Sequence, residues 1–114
     1  MTNASPTVKA GPYVVGEKPA PLTYAFLGSD GLPIDLSGYN AKFTVREQYG
    51  APTTYDATVT APSAGTVGYT WTGVEFPTAG NYSAEFWVGN GVQRYDSWLI
   101  EFNVRLPVGP VPSV

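Results

Sequence analysis

The sequence predicts an all-β fold, an immunoglobulin-like seven-stranded Greek-key β-sandwich that needs no disulfide. Three observations carry that prediction. Apolar residues recur every second position in short runs separated by Gly, Pro, Asn or Asp at intervals of about ten residues, the mark of half-buried strands. Gly80-Asn81-Tyr82-Ser83-Ala84 has the spacing of a tyrosine corner, with Ala84 where a disulfide cysteine would stand. No run shows a capped helical period, so helix content is expected near zero.

The elements follow in order. After a polar lead from Met1 to Ala10, Tyr13-Val14-Val15 forms a weak edge strand preceded by Gly11-Pro12. Leu22, Tyr24 and Phe26 alternate with Thr23, Ala25 and Leu27, their start fenced by Pro19 and Pro21. Gly28-Ser29-Asp30-Gly31 turns the chain. Tyr39, Ala41, Phe43 and Val45 then share one face against Asn40, Lys42, Thr44 and Arg46, the clearest one-sided strand. Gly50-Ala51-Pro52 ends it. Tyr55, Ala57 and Val59 form a fourth strand, and Val67, Tyr69 and Trp71 a fifth. Tyr82, Ala84, Phe86 and Val88 alternate with Asn81, Ser83, Glu85 and Trp87 in the sixth. Val92 to Val104 reads as one long last strand with Trp98, Ile100, Phe102 and Val104 on a shared face.

Parity places a condition on the last hairpin. With Asn90-Gly91 as a two-residue loop, Phe86 would pair with Tyr95, and Trp98, Ile100 and Phe102 would face away from Phe86 and Tyr82. Burying both sets requires a three-residue loop or an extra residue between Val92 and Ser97. The expected core is Phe26, Phe43, Val45, Val67, Tyr69, Trp71, Tyr82, Ala84, Phe86, Ile100 and Phe102.

Domain organisation reads as an extended N-terminal tail over 1–12, a sandwich over 13–105, and a Pro-rich C-terminal tail over 106–114 that cannot continue a central strand. A chain of 114 residues with 43% hydrophobic content is one domain, large enough to bury a core without staples. Zero cysteines removes disulfides and thiolate metal sites, and zero histidines removes the commonest general base and metal ligand. A net charge of -3 with no basic stripe argues against nucleic acid. Met1 to Pro12 lacks the charged start and apolar stretch of a signal peptide, and no segment approaches the about 18 apolar residues of a membrane span, so a soluble chain with no membrane partner is expected.

Candidate chemistry is sparse. Asp30 and Asp35, with Ser29 and Ser37, offer oxygen ligands of the kind calcium takes, but Asp before Gly in a turn and Asp before Leu-Ser-Gly fit carboxylates bonding nearby backbone N–H groups better. Glu75, Glu85, Asp96 and Glu101 have no supporting motif and read as solvated charges. Ser37, Ser83 and Ser97 have no histidine to activate them. The expectation is therefore no catalytic residue, no metal and no cofactor.

Ile34-Asp35-Leu36-Ser37-Gly38 before an amphipathic strand, Gly65-Thr66-Val67-Gly68-Tyr69 in mid-chain, and Gly80-Asn81-Tyr82-Ser83-Ala84-Glu85-Phe86 before the final strand resemble the N-terminal domain of tailed-phage upper baseplate proteins over roughly Leu22 to Val104. The resemblance implies an Ig-like sandwich that docks on other virion proteins without catalysis, in a chain made in the host cytoplasm and located in the virion. Those relatives continue into a helical or receptor-binding portion, whereas this sequence ends at Val114, which leaves room for a free-standing decoration on head or tail.

For such a role the candidate contact residues are Trp87 and Tyr95, expected as an outward aromatic pair on adjacent strands, and Val108, Val111 and Val114 in the C-terminal tail. A tail or loop of the same chain covering Trp87 is the competing expectation. The partners expected are capsid, tail or baseplate proteins, with a homo-oligomer also open. A rival from another class is a carbohydrate-binding module, with Trp87, Tyr95 and Tyr49 or Tyr55 stacking on sugar rings.

Overall fold

The computed structural model describes residues 8–106, which form an all-β sandwich. Its strands are β1 (Val8–Lys9), β2 (Tyr13–Val14), β3 (Leu22–Ala25), β4 (Asn40–Glu47), β5 (Thr53–Ala61), β6 (Thr66–Tyr69), β7 (Gly80–Gly89), β8 (Arg94–Asp96) and β9 (Ile100–Arg105). A single 3-10 turn, Pro62–Ala64, is the helical element among the described residues.

One layer runs β9-β7-β4-β5, with β1 and β2 parallel on the edge of β9 and β8 beside the end of β7. The other runs β5-β6-β3. The layers share β5, whose first half pairs with β4 from Thr53 to Ala57 and whose second half pairs with β6 from Thr58 to Ala61. A shift of register between Val59 and Ala61 follows just after that change of partner, within the half paired with β6.

All eleven expected core residues are buried, joined by Leu36, Ala41, Phe76, Val88 and Val104. The centre is aromatic. Phe43 and Tyr69 stack across the layers with ring centroids 4.6 Å apart, and Phe86 lies 4.8 Å from Phe43. Trp71 closes the lower half against Phe76, Phe102 and Tyr13. Tyr13 is thus more than a weak edge residue, because parallel pairing with Val104 sets its ring 5.3 Å from those of Phe76 and Phe102.

The tyrosine corner is present. The Tyr82 hydroxyl donates to the Thr78 carbonyl at 2.6 Å, pinning the 70–79 loop to the start of β7. Gly80 at the bend has φ 149°, a value few other residues adopt without strain.

Three expectations from sequence are corrected. The last predicted strand is two: β8 opposes β7 in a register that sets Val88 against Tyr95, β9 in one that sets Ala84 against Ile100, and Ser97-Trp98-Leu99 face Glu85-Phe86 between them. That supplies the extra residue that parity requires, but neither as a three-residue loop nor between Val92 and Ser97 as expected: the loop has four residues, Asn90 to Gln93, and the extra one lies in Ser97–Leu99. Ser97 makes it possible, because its hydroxyl accepts the Phe86 N–H at 2.9 Å while its own N–H donates to the Phe86 carbonyl at 2.8 Å. Trp98 consequently leaves the face of Ile100, Phe102 and Val104 and stands 42% exposed.

Second, the seven predicted strands are all present among the described residues, the last as β8 and β9, but the stretch expected as an extended N-terminal tail contributes a further short strand, β1. Third, Glu75 is no solvated charge. It is 3% exposed, and its carboxylate accepts from the N–H groups of Thr72 and Gly73 and from the hydroxyls of Thr72 and Tyr69. Burial opposes its charge, but these donors outweigh that cost and hold the carboxyl below its ordinary value. Tyr69 responds the opposite way, its acidity suppressed first by burial and then by its bond to Glu75.

Candidate docking surface

The outer face of the larger layer is built by the polar half of each alternation. Lys42, Thr44 and Arg46 on β4 meet Trp87, Glu85 and Ser83 on β7 in cross-strand pairs, and Trp87 meets Asp96 on β8. On the far side of β4, Lys42 is ion-paired with Asp56 of β5, and Thr44 is hydrogen-bonded to Thr54 at 3.0 Å. The face is a lattice of paired charges and hydroxyls around one large aromatic ring.

Trp87 points outward, as alternation with buried Phe86 and Val88 requires. It is half-buried. The Arg94 guanidinium lies 4.2 Å from its ring centroid, and Asp96 holds that guanidinium in place through a 2.8 Å bond from Nε. Asp96 in turn raises the Arg94 pKa. Partial burial pushes the neighbouring Glu85 carboxyl up, the Asp96 charge adds to the rise, and Arg94 opposes it. The result is an Arg–Trp stack rimmed by acids, a surface type that interface cores favour.

Tyr95 is not part of this face. Pairing with Val88 turns it to the inner side of the layer, where its ring lies 6.0 Å from that of Tyr39 and both hydroxyls meet Gln93. The expected outward pair is therefore split, Trp87 outside and Tyr95 at the rim of the core. Tyr55 packs on Tyr69 with centroids 5.6 Å apart, whereas Tyr49 is 94% exposed in the β4–β5 turn. Val108, Val111 and Val114 lie outside the described residues.

Next to Trp87 along β7, a depression of about 310 Å³ is lined by Thr44, Arg46, Pro52, Ser83, Glu85 and Leu99. Leu99 reaches it because the Ser97–Leu99 insertion turns that side chain outward, 44% exposed. Neither Arg94 nor Leu99 stood out in the sequence. Both depend on hairpin register, and the only signal was the alternation Arg94-Tyr95-Asp96, which assigns Arg94 to the side of Trp87 once the loop length is known.

The two aspartates act on their own turns. Asp30 accepts the Leu32 N–H at 3.0 Å, and Asp35 accepts both the N–H and the hydroxyl of Ser37 at 3.0 and 2.7 Å, which lowers the Asp35 pKa. Among the described residues no three potential metal ligands come together.

The model of the BppU N-terminal domain matches residues 25–106. The chain belongs to that family. The family is the N-terminal domain of phage baseplate upper proteins, so this is a structural domain of the phage baseplate, a component of the virion associated with other virion proteins. No match is found among curated proteins. Among solved structures the chain is similar to the crystal structure of CopC from Methylosinus trichosporium OB3b, at 13% identity over 90% of this chain and 91% of that one, with a TM-score of 0.53. At that identity the likeness shows a shared β-fold alone.

Proposed function

We propose that this BppU N-terminal domain works without catalysis, as an accessory or decoration subunit that docks on neighbouring baseplate, tail or capsid proteins. The outer face around Trp87 is its contact surface, and the C-terminal segment carrying Val108, Val111 and Val114 is a second grip. The observation that carries this reading is the Arg94–Trp87 stack. A large aromatic ring on an otherwise polar sheet face contributes nothing to the core, yet its orientation is fixed by an Arg held by Asp96, so little entropy is lost when a partner covers it. Depletion of His and Cys supports an assembly role over a chemical one.

The carbohydrate-binding alternative needs an open aromatic strip. Here one ring face of Trp87 is taken by Arg94, and Tyr95 faces the core rim, so no observation favours it. The docking reading is tested by incorporation: phage grown with a Trp87→Ala copy should carry fewer of these subunits than phage grown with the wild-type chain. Undiminished loading by that variant, or a monomer that binds an oligosaccharide through Trp87, would count against it. Synthesis in the host cytoplasm and self-association belong to the same proposal.

A further inference from the structure

The depression beside Trp87 interrupts the lattice of paired charges on the outer face. Its apolar lining is Leu99, Pro52 and Ala84, and Arg46 and Glu85 supply its two charges. A leucine 44% exposed beside a proline gives an apolar side chain of a partner something to cover.

The two charges differ in what surrounds them. Lys42 on this face is ion-paired with Asp56, and Arg94 with Asp96. Arg46 is exposed and, among the described residues, makes no hydrogen bond or ion pair. Its cross-strand neighbour is Ser83, which has no charge to offer. Glu85 does not serve it, because the charges that act on the Glu85 carboxyl are those of Asp96 and Arg94. A guanidinium left open beside an apolar hollow is complementary to a carboxylate, which it takes through two parallel N–H bonds. Glu85 on β7 and Glu101, opposite Ser83 on β9, repel a carboxylate placed toward β9, so Arg46 on β4 fixes where it goes.

We propose that the depression receives a segment of another virion protein that carries an Asp or Glu next to an apolar side chain, the carboxylate on Arg46 and the apolar group on Leu99 and Pro52. This rests on the docking reading and deepens it by naming the partner's chemistry. A second copy of this chain matches the site less well: its exposed acid beside an exposed leucine, Asp30 by Leu32, already bonds the N–H of that leucine.

Phage supplied with an Arg46→Glu chain should carry several-fold fewer subunits per particle, and so should phage supplied with Leu99→Asn. Arg46→Lys, which keeps the charge without the fork, should load better than Arg46→Glu. Both side chains are exposed, so urea midpoints are expected to stay at the wild-type value. Selection for restored loading from Arg46→Glu should yield substitutions that replace an acid with a neutral or basic residue in another virion protein. Full loading of Arg46→Glu or Leu99→Asn, an equal loss with Arg46→Lys, or suppressors that map within this chain and so make a second copy the occupant would each overturn the proposal. A loss of loading with Trp87→Ala but not with Arg46→Glu leaves docking standing and this proposal refuted, whereas full loading by both removes the docking reading as well.

Discussion

The hydroxyl of Tyr69 donates to the buried carboxylate of Glu75, tying the end of β6 to the 70–79 loop. The same carboxylate gathers the Thr72 and Gly73 N–H groups, so one side chain orders the loop from within. Because the folded state holds the Glu75 pKa below its ordinary value, its stabilisation is complete above the unfolded value, about 4.3, and drains away as pH falls through the folded value. Glu75→Gln should cost about 2 kcal/mol at pH 7, the scale of charged hydrogen bonds. Urea midpoints should show that gap narrowing by pH 3. A gap unchanged between the two pH values would refute the linkage.

Ser97 holds the insertion that separates β8 from β9. Ser97→Ala leaves the Phe86 N–H without its 2.9 Å acceptor inside the sandwich, a loss of about 1–3 kcal/mol. Hydrogen exchange should locate it, with Phe86 losing protection while the β4 ladder keeps its own. Equal loss across both would mean the insertion is not the site of the defect.

Phe43 is fully buried between Tyr69, Trp71 and Phe86, so Phe43→Ala should cost about 3–5 kcal/mol in chemical denaturation. A loss under about 1 kcal/mol would mean the core is organised around other rings.

What the sequence made legible was whatever alternation and corner spacing encode. The one-sided pattern of β4 gave Phe43 and Val45, Gly80 to Ala84 gave the corner, and parity alone required an extra residue in the last hairpin. Its position was hidden, because it depends on a side-chain hydroxyl standing in for a backbone acceptor, and Ser97 looks like any turn serine. Tyr95 belongs to the inner face because the four-residue loop Asn90 to Gln93 keeps the parity of a two-residue one, and the extra residue comes after Tyr95, at Ser97–Leu99, and not before it as expected. Glu75 was misread because nothing in Thr72-Gly73-Val74-Glu75 announces that its own loop will fold its N–H groups back onto it. Trp87 was placed correctly outward, but the Arg94 that covers it comes from the register that parity could not fix.

The most direct test of the docking account is the number of these subunits per purified particle, counted by quantitative mass spectrometry in phage supplied with the Trp87→Ala chain. Losing the Arg94 stack should cost the isolated domain about 1 kcal/mol, leaving it folded. The account predicts a several-fold drop in copies per particle at equal expression. Wild-type occupancy by a folded Trp87→Ala chain would contradict it.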